Sequence, residues 1–71
     1  MTKNELYFII FCIEGIAESL SMNSADVYML LSGGGTIDEY IIPGYEALHT
    51  QGREYIINDI IEYIKKEGLL P

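Results

Sequence analysis

The chain has 71 residues, with 11 Asp or Glu against 4 Lys or Arg, which gives a formal net charge of -7. This length allows one small domain, residues 1–71, and excludes separate cofactor and substrate domains. The acidic balance argues against nucleic acid or an anionic membrane surface as the main partner. Because 49% of the residues are hydrophobic, we expect the chain to fold rather than remain disordered.

The single cysteine, Cys12, excludes an internal disulfide and a zinc site built on a cysteine pair. It lies in the apolar run 6–13, so we expect a buried and unreactive thiol. The run is much shorter than the roughly 20 residues of a membrane span. The acidic residues Glu14 and Glu18 follow it directly, which fits a signal peptide poorly. We therefore expect a cytoplasmic protein without a membrane partner.

The first predicted helix runs from about Lys3 to Leu20. Thr2 and Glu5 have the spacing of a capping box, in which each side chain accepts from the other residue's backbone N–H. A strand over 6–13 is the alternative, since β-branched and aromatic residues dominate there. The helix is favoured because one apolar stripe at helical spacing continues beyond that run; its members are Leu6, Ile9, Ile10, Ile13, Ala17 and Leu20.

The second predicted helix begins near 23–24, where both residues are good N-caps, and stops at the glycines 33–35. With the end of the first helix it has the outline of a helix-turn-helix, in which Ser21 stands where glycine is usual. No cationic residue occurs between Lys3 and Arg53, whereas seven carboxylates do. Phosphate contacts normally need cationic side chains, so we expect no nucleic-acid partner.

Two more helices are predicted after the glycines. Thr36 and Glu39 repeat the capping-box spacing and predict a short helix over 37–42. The last helix runs from about 53 to 66, carries a wide isoleucine stripe, and precedes Gly68, which is placed as its C′ residue. The predicted fold class is therefore all-α, a compact bundle of about four helices with a helix-turn-helix-like middle.

Few residues could carry chemistry. The glycines 33–35 lack the preceding strand and the following Lys-Ser/Thr pair of a phosphate-binding loop. His49 is the only histidine, so it cannot complete a zinc site. With Glu46 one turn away it could act as a general base, but only Thr50 is a neighbouring nucleophile. We expect a structural role for His49, and no enzyme activity, cofactor or metal.

Apolar and tyrosine side chains indicate a protein partner. The first half of the first helix is apolar on all sides, and tyrosines flank the isoleucine stripe of the last helix. The two short middle segments are too small to cover both, so we expect an uncovered patch that marks an interface. A two-fold homodimer is the most common way to cover such a patch. The candidate interface residues are Tyr7, Phe8, Phe11, Ile61, Tyr55 and Tyr63.

Five blocks of the sequence resemble the bacterial domain-of-unknown-function family 3791, over nearly the whole chain. The most specific are Leu48 to Gly52 and the pair Tyr55 and Asp59; the others are 8–14, 24–31 and 40–43 with Tyr45. The resemblance implies a small intracellular protein and carries over no catalytic residues. It also implies a small acidic partner, in the manner of an antitoxin, for a larger protein that resembles ADP-ribosyltransferases.

The sequence therefore predicts a non-catalytic protein-interaction module, either a homodimer or a small acidic accessory protein for a larger partner. A helix-turn-helix transcriptional regulator is the alternative. Because the stretch between Lys3 and Arg53 contains carboxylates and no cation, we expect a partner with a basic contact surface. Association with that partner should slow as the ionic strength rises.

Overall fold

The computed structural model describes residues 1–70, which are mainly helical and include no strand. The all-α prediction is confirmed, and the strand alternative for 6–13 is wrong. No helix in this range is long and apolar enough to cross a bilayer. The elements in chain order are α1 (Lys3–Leu20), α2 (Ser24–Gly33), the π-helical turn π1 (Ile37–Ile41), α3 (Tyr45–Leu48) and α4 (Arg53–Lys66).

Hydrogen bonds from backbone N–H groups fix both ends of α1. The Glu5 N–H donates to Thr2 Oγ1 at 3.1 Å and the Thr2 N–H donates to Glu5 Oε1 at 2.9 Å, so the predicted capping box is confirmed. At the other end Ser21 has φ 55 and ψ 42, the left-handed conformation that favours glycine. The Met22 N–H donates to the Ala17 carbonyl at 2.9 Å. This tight reversal turns the chain from α1 into α2.

The buried side of α1 differs from the predicted stripe. Leu6 and Ile10, predicted to face inward, are 46% and 48% exposed. Because α1 packs against both α2 and α4, its buried arc is wide and is centred on Cys12 and Ile16, which are fully buried. Phe8 enlarges that arc. The other buried residues of α1 are Ile9, Ile13, Gly15 and Ala17.

The helix α4 supplies the other half of the core and ends as predicted. Its last turn closes with the Leu69 N–H donating to the Ile64 carbonyl at 2.9 Å, and Gly68 has φ 75, which is a Schellman motif. This motif places the Leu69 side chain over Gly34, where a Cβ atom would lie 2.9 Å from Leu69 Cδ2. The predicted isoleucine stripe is confirmed as buried; it consists of Ile56, Ile57, Ile60, Ile61 and Ile64.

The two long helices α1 and α4 approach closely at Gly15. A Cβ atom on Gly15 would lie 2.7 Å from Ile57 Cγ1 and would also overlap Cδ1 of the same side chain. Both residues are buried, so the surrounding core leaves the isoleucine little space into which it could move. The missing side chain of Gly15 therefore provides the space that Ile57 fills.

We expect Gly15→Ala to lower the free energy of unfolding by roughly 1–2 kcal/mol, because overpacking outweighs the helix propensity that alanine gains over glycine. Gly33→Ala is the matched control, since a Cβ there meets no atom within 4 Å; it should be neutral or stabilising. Denaturant unfolding measures both variants. Equal effects at the two positions would contradict the close approach.

The segment after α2 differs from the predicted short α-helix. The Ile42 N–H donates to the Ile37 carbonyl at 3.0 Å, which is a π-type hydrogen bond. Thr36, predicted as an N-cap, is itself helical and makes no side-chain cap bond, so the predicted Thr36 and Glu39 capping box is wrong. The left-handed Gly35, with φ 76, begins the helix, and its carbonyl accepts from the Glu39 N–H at 2.9 Å.

Thr36 is instead a core residue. It is 1% exposed, and its hydroxyl has no hydrogen-bond partner among residues 1–70. We expect Thr36→Val to leave the free energy of unfolding unchanged or to raise it by up to about 1 kcal/mol, because the change removes a buried hydroxyl. Thr2→Ala removes a cap that is formed and should cost about 1 kcal/mol. Calorimetric unfolding distinguishes the two, and a comparable loss at both positions would mean that Thr36 caps a helix.

Candidate interaction surface

Two of the six predicted interface residues lie in the core. Phe8 and Ile61 are 8% and 7% exposed. The Phe8 ring packs edge-to-face on the Tyr45 ring, with 5.3 Å between centroids, and Ile61 belongs to the buried stripe of α4. Their side chains are therefore covered by their own chain. This corrects the prediction for Phe8 and Ile61, which a partner of the folded protein cannot reach.

The other four predicted interface residues divide between two surfaces. Tyr55 and Tyr63 are two turns apart on α4 and lie on the side where Tyr40 of π1 packs. Tyr7 and Phe11 lie on the open side of α1, where both are exposed. The structure therefore does not assemble the six residues into one patch, and only Tyr7 and Phe11 belong to the exposed face of α1.

That exposed face is the largest uncovered apolar feature of α1. We call it the α1 outer face and define it by Leu6, Tyr7, Ile10 and Phe11, which are between 38% and 58% exposed. Their spacing places them on one side of the helix, opposite the buried Cys12. Sequence reasoning missed Leu6 and Ile10, because it assigned them to the inward stripe.

Apolar atoms continue on both sides of the α1 outer face. On the α2 side Leu6 lines a groove of about 300 Å³ together with Met1 and Tyr28. On the other side Phe11 stacks on Phe8, with 6.3 Å between the ring centroids. The face therefore packs on the core and is continuous with a further exposed aromatic residue, Tyr28, which is 50% exposed.

Charged residues stand at the two ends of the α1 outer face. Lys3 lies at the N-terminal end and Glu14 at the C-terminal end, and both are exposed. One turn further, Glu18 Oε2 lies 3.5 Å from Arg53 Nη2. In the folded protein Glu18 thus has a counter-cation. The sequence predicted that the carboxylates between Lys3 and Arg53 lack one, and this prediction is wrong for Glu18. Because the paired side chains are exposed, their interaction contributes little to stability.

A tyrosine cluster joins π1 to α4. The Tyr40 hydroxyl donates to Asp59 Oδ2 at 2.6 Å, and the Tyr40 ring stacks on Tyr63 with 3.8 Å between centroids. The hydrogen bond to Asp59, with some desolvation, raises the pKa of Tyr40 to about 12. Sequence reasoning missed this contact because the partners are 19 positions apart. Only the i, i+4 and i+8 spacing of Tyr55, Asp59 and Tyr63 could have indicated it.

His49 and Cys12 both make contacts within the chain. The His49 Nδ1–H donates to the Tyr45 carbonyl at 2.7 Å, and the two rings stack at 4.3 Å. Burial raises the pKa of the Cys12 thiol to about 12, which disfavours the thiolate. No group of three or more His, Cys, Asp or Glu within residues 1–70 could hold a metal ion.

The Tyr40 bond predicts a pH-dependent stability. Because the folded pKa of Tyr40 lies above its usual value of about 10, the stability from this bond is fully present below pH 10 and is lost as the pH rises toward 12. We expect Tyr40→Phe to cost about 1 kcal/mol at neutral pH. That cost should shrink in denaturant unfolding at alkaline pH. Tyr28→Phe, at an exposed position, is the control. A cost for Tyr40→Phe that does not change with pH would contradict the assignment.

Comparison with known proteins gave one match. The profile of a family described as a protein of unknown function, DUF3791, matches residues 7–67, which include α2, α3, α4 and most of α1. No curated protein and no solved structure matched the chain. The family resemblance inferred from the sequence blocks is confirmed, and the chain belongs to the DUF3791 family.

Proposed function

We propose that the protein is a non-catalytic interaction module that binds another protein through the α1 outer face. It acts either as a homodimer or as a small acidic accessory protein, in the manner of an antitoxin, for a larger partner. The observation that carries the proposal is the row of exposed apolar side chains Leu6, Tyr7, Ile10 and Phe11. Apolar patches of this kind commonly mark protein–protein contacts.

The energetic argument follows from the exposure of these side chains. Each keeps between 38% and 58% of its surface in water. Covering this exposed part would contribute on the order of 1 kcal/mol per residue. Tyr7 also brings a hydroxyl that can stay hydrated at the rim of a contact, which is one reason why tyrosine is enriched at interfaces. The face can thus support an association while the monomer stays folded on its own core.

For a partner other than a second copy of the chain, electrostatics favour a surface with basic groups. The formal net charge of -7 produces an acidic field around the molecule, and Glu14 stands free of an ion pair within residues 1–70. A basic contact surface would therefore be attracted at a distance, and its association rate should fall with salt.

A helix-turn-helix regulator that reads DNA through α2 is the alternative. The three-residue connection 21–23 between α1 and α2 is compatible with that motif. The exposed side of α2 carries Asp26, Tyr28 and Met29 and no cationic residue, which disfavours contact with phosphates. We therefore rank protein binding above DNA binding.

Co-purification of the tagged full chain with quantitative mass spectrometry tests the proposal. An untagged copy of the same chain is expressed alongside, so that self-association and foreign partners are both counted. We expect Tyr7→Glu to reduce the recovered partner at least tenfold, because it places a charge in the centre of the apolar face. Tyr55→Glu is a closely matched control, since Tyr7 and Tyr55 are 58% and 57% exposed.

The outcomes separate the two surfaces. Loss with Tyr7→Glu and not with Tyr55→Glu supports the α1 outer face. If only Tyr55→Glu reduces the amount of partner recovered, the interaction surface lies on α4. If neither variant reduces it, the proposed function is contradicted. Circular dichroism of each variant verifies that it is folded before the comparison is made.

A further inference from the structure

We propose that the α1 outer face binds the same face of a second copy of this chain, with the two α1 helices antiparallel. The two-fold axis passes between the two helices, at the height along α1 that lies midway between positions 8 and 9. The inference rests on the proposed function, because it names the partner of that surface. It depends on a second observation, which is the symmetric arrangement of charges and apolar residues along α1.

The residues on the outer side of α1 are spaced symmetrically about a midpoint, with charges of opposite sign at the two ends. Its central row is Lys3, Tyr7, Ile10 and Glu14, with intervals of four, three and four residues. Apolar residues occupy the middle of the row, and charges of opposite sign occupy its ends. Leu6 and Phe11 flank the row at equal distances from its midpoint. A surface with this pattern is complementary to itself only after reversal of the helix direction.

The antiparallel arrangement brings opposite charges together twice. With the axis at the midpoint, Lys3 lies at the height of Glu14 of the second copy, and Tyr7 lies at the height of Ile10 of the second copy. The two-fold axis repeats each pair, as an isologous interface requires. A parallel arrangement would instead place Lys3 against Lys3 and Glu14 against Glu14. The charges therefore favour one direction and one register.

Both charged residues are available for such pairs. The ion pairs within residues 1–70 are Glu18 with Arg53 and Glu62 with Lys65, and they include neither Lys3 nor Glu14. Both of these residues are exposed. Lys3 lies in the first turn of α1, where a positive charge is unfavourable for the helix dipole. Helix stability therefore does not explain a lysine at this position, whereas pairing with a carboxylate of the second copy does.

The area of this face indicates a reversible dimer. A standard interface buries about 800 Å² per partner, somewhat less than a fifth of the 4431 Å² of accessible surface of this chain. The four side chains of the α1 outer face expose only 38% to 58% of their surface, so a contact of that size also needs the flank, where Leu6 adjoins Met1 and Tyr28. In the antiparallel arrangement this flank meets the same flank of the second copy. We therefore expect dissociation on dilution.

Charge reversal tests the register by sedimentation at fixed ionic strength. We expect Lys3→Glu and Glu14→Lys each to weaken the dimer about tenfold, because two symmetric pairs become repulsive at once. The double variant should restore the wild-type affinity. An equimolar mixture of the two single variants should form a heterodimer in which both pairs are again opposite in sign. Lys3→Glu suits the helix dipole, and Lys at position 14 can pair with Glu18, so both variants should fold.

Glu62→Lys is the control for net charge. Like Glu14→Lys, it replaces one negative charge by one positive charge and so changes the formal net charge of -7 to -5. A smaller net charge alone reduces repulsion between two copies, so Glu62→Lys should leave dimerisation unchanged or strengthen it. The position is exposed on α4, and the ion pair with Lys65 that the change removes lies within that helix. Only a specific pair explains a weaker Glu14→Lys dimer beside an unweakened Glu62→Lys dimer.

Cysteine cross-linking provides a measurement that does not depend on charge. In the antiparallel dimer Lys3→Cys/Glu14→Cys should form intermolecular disulfides, whereas in Lys3→Cys alone the two thiols are about 16 Å apart along the axis. The native Cys12 is buried and should not interfere. Rapid cross-linking of Lys3→Cys alone, or charge-reversal variants as tight as the wild type, would overturn the antiparallel register.

The remaining outcomes distinguish this inference from the proposed function. If the wild type is a monomer at the highest accessible concentration and yet retains a partner that depends on Tyr7, the second copy is excluded and the interaction function stands. If it is a monomer and no recovered partner depends on Tyr7, both proposals fail.

Discussion

The close approach of α1 and α4 at Gly15 and Ile57 is the contact on which the rest of the fold depends. A chain of 71 residues buries a small fraction of its surface compared with larger proteins, so its two longest helices must share one core. The absence of a side chain at Gly15 lets α4 come near enough for its isoleucines to reach Cys12 and Ile16. A larger residue at that position would have to displace the Ile57 side chain within the core.

This packing also decides which residues of α1 remain in water. Contacts with α2 on one side and α4 on the other bury the arc of α1 around Cys12. The opposite side of α1 stays exposed and carries Leu6, Tyr7, Ile10 and Phe11. The proposals of an intermolecular contact start from these four exposed apolar side chains.

Local signals in the sequence predicted the helices well. The capping box at Thr2 and the C′ glycine at 68 are short-range features, and both were predicted correctly. The exposed side of α1 and the role of Thr36 were predicted wrongly, because both depend on which helices lie beside these residues in space. The hydrogen bond between Tyr40 and Asp59 was missed for the same reason. Tyr40 faces α4 from a π-helical turn, and helix propensities do not predict where such a turn directs its side chains.

Burial protects the Cys12 thiol from oxidants as long as the protein stays folded. A thiol with no exposed surface and a pKa near 12 reacts with oxidants or alkylating reagents only when the helices part. Its modification rate under native conditions is therefore a direct measure of how often α1 leaves the core. The chain thus carries its own reporter of opening at the centre of its longest helix, and the reporter needs no engineered label.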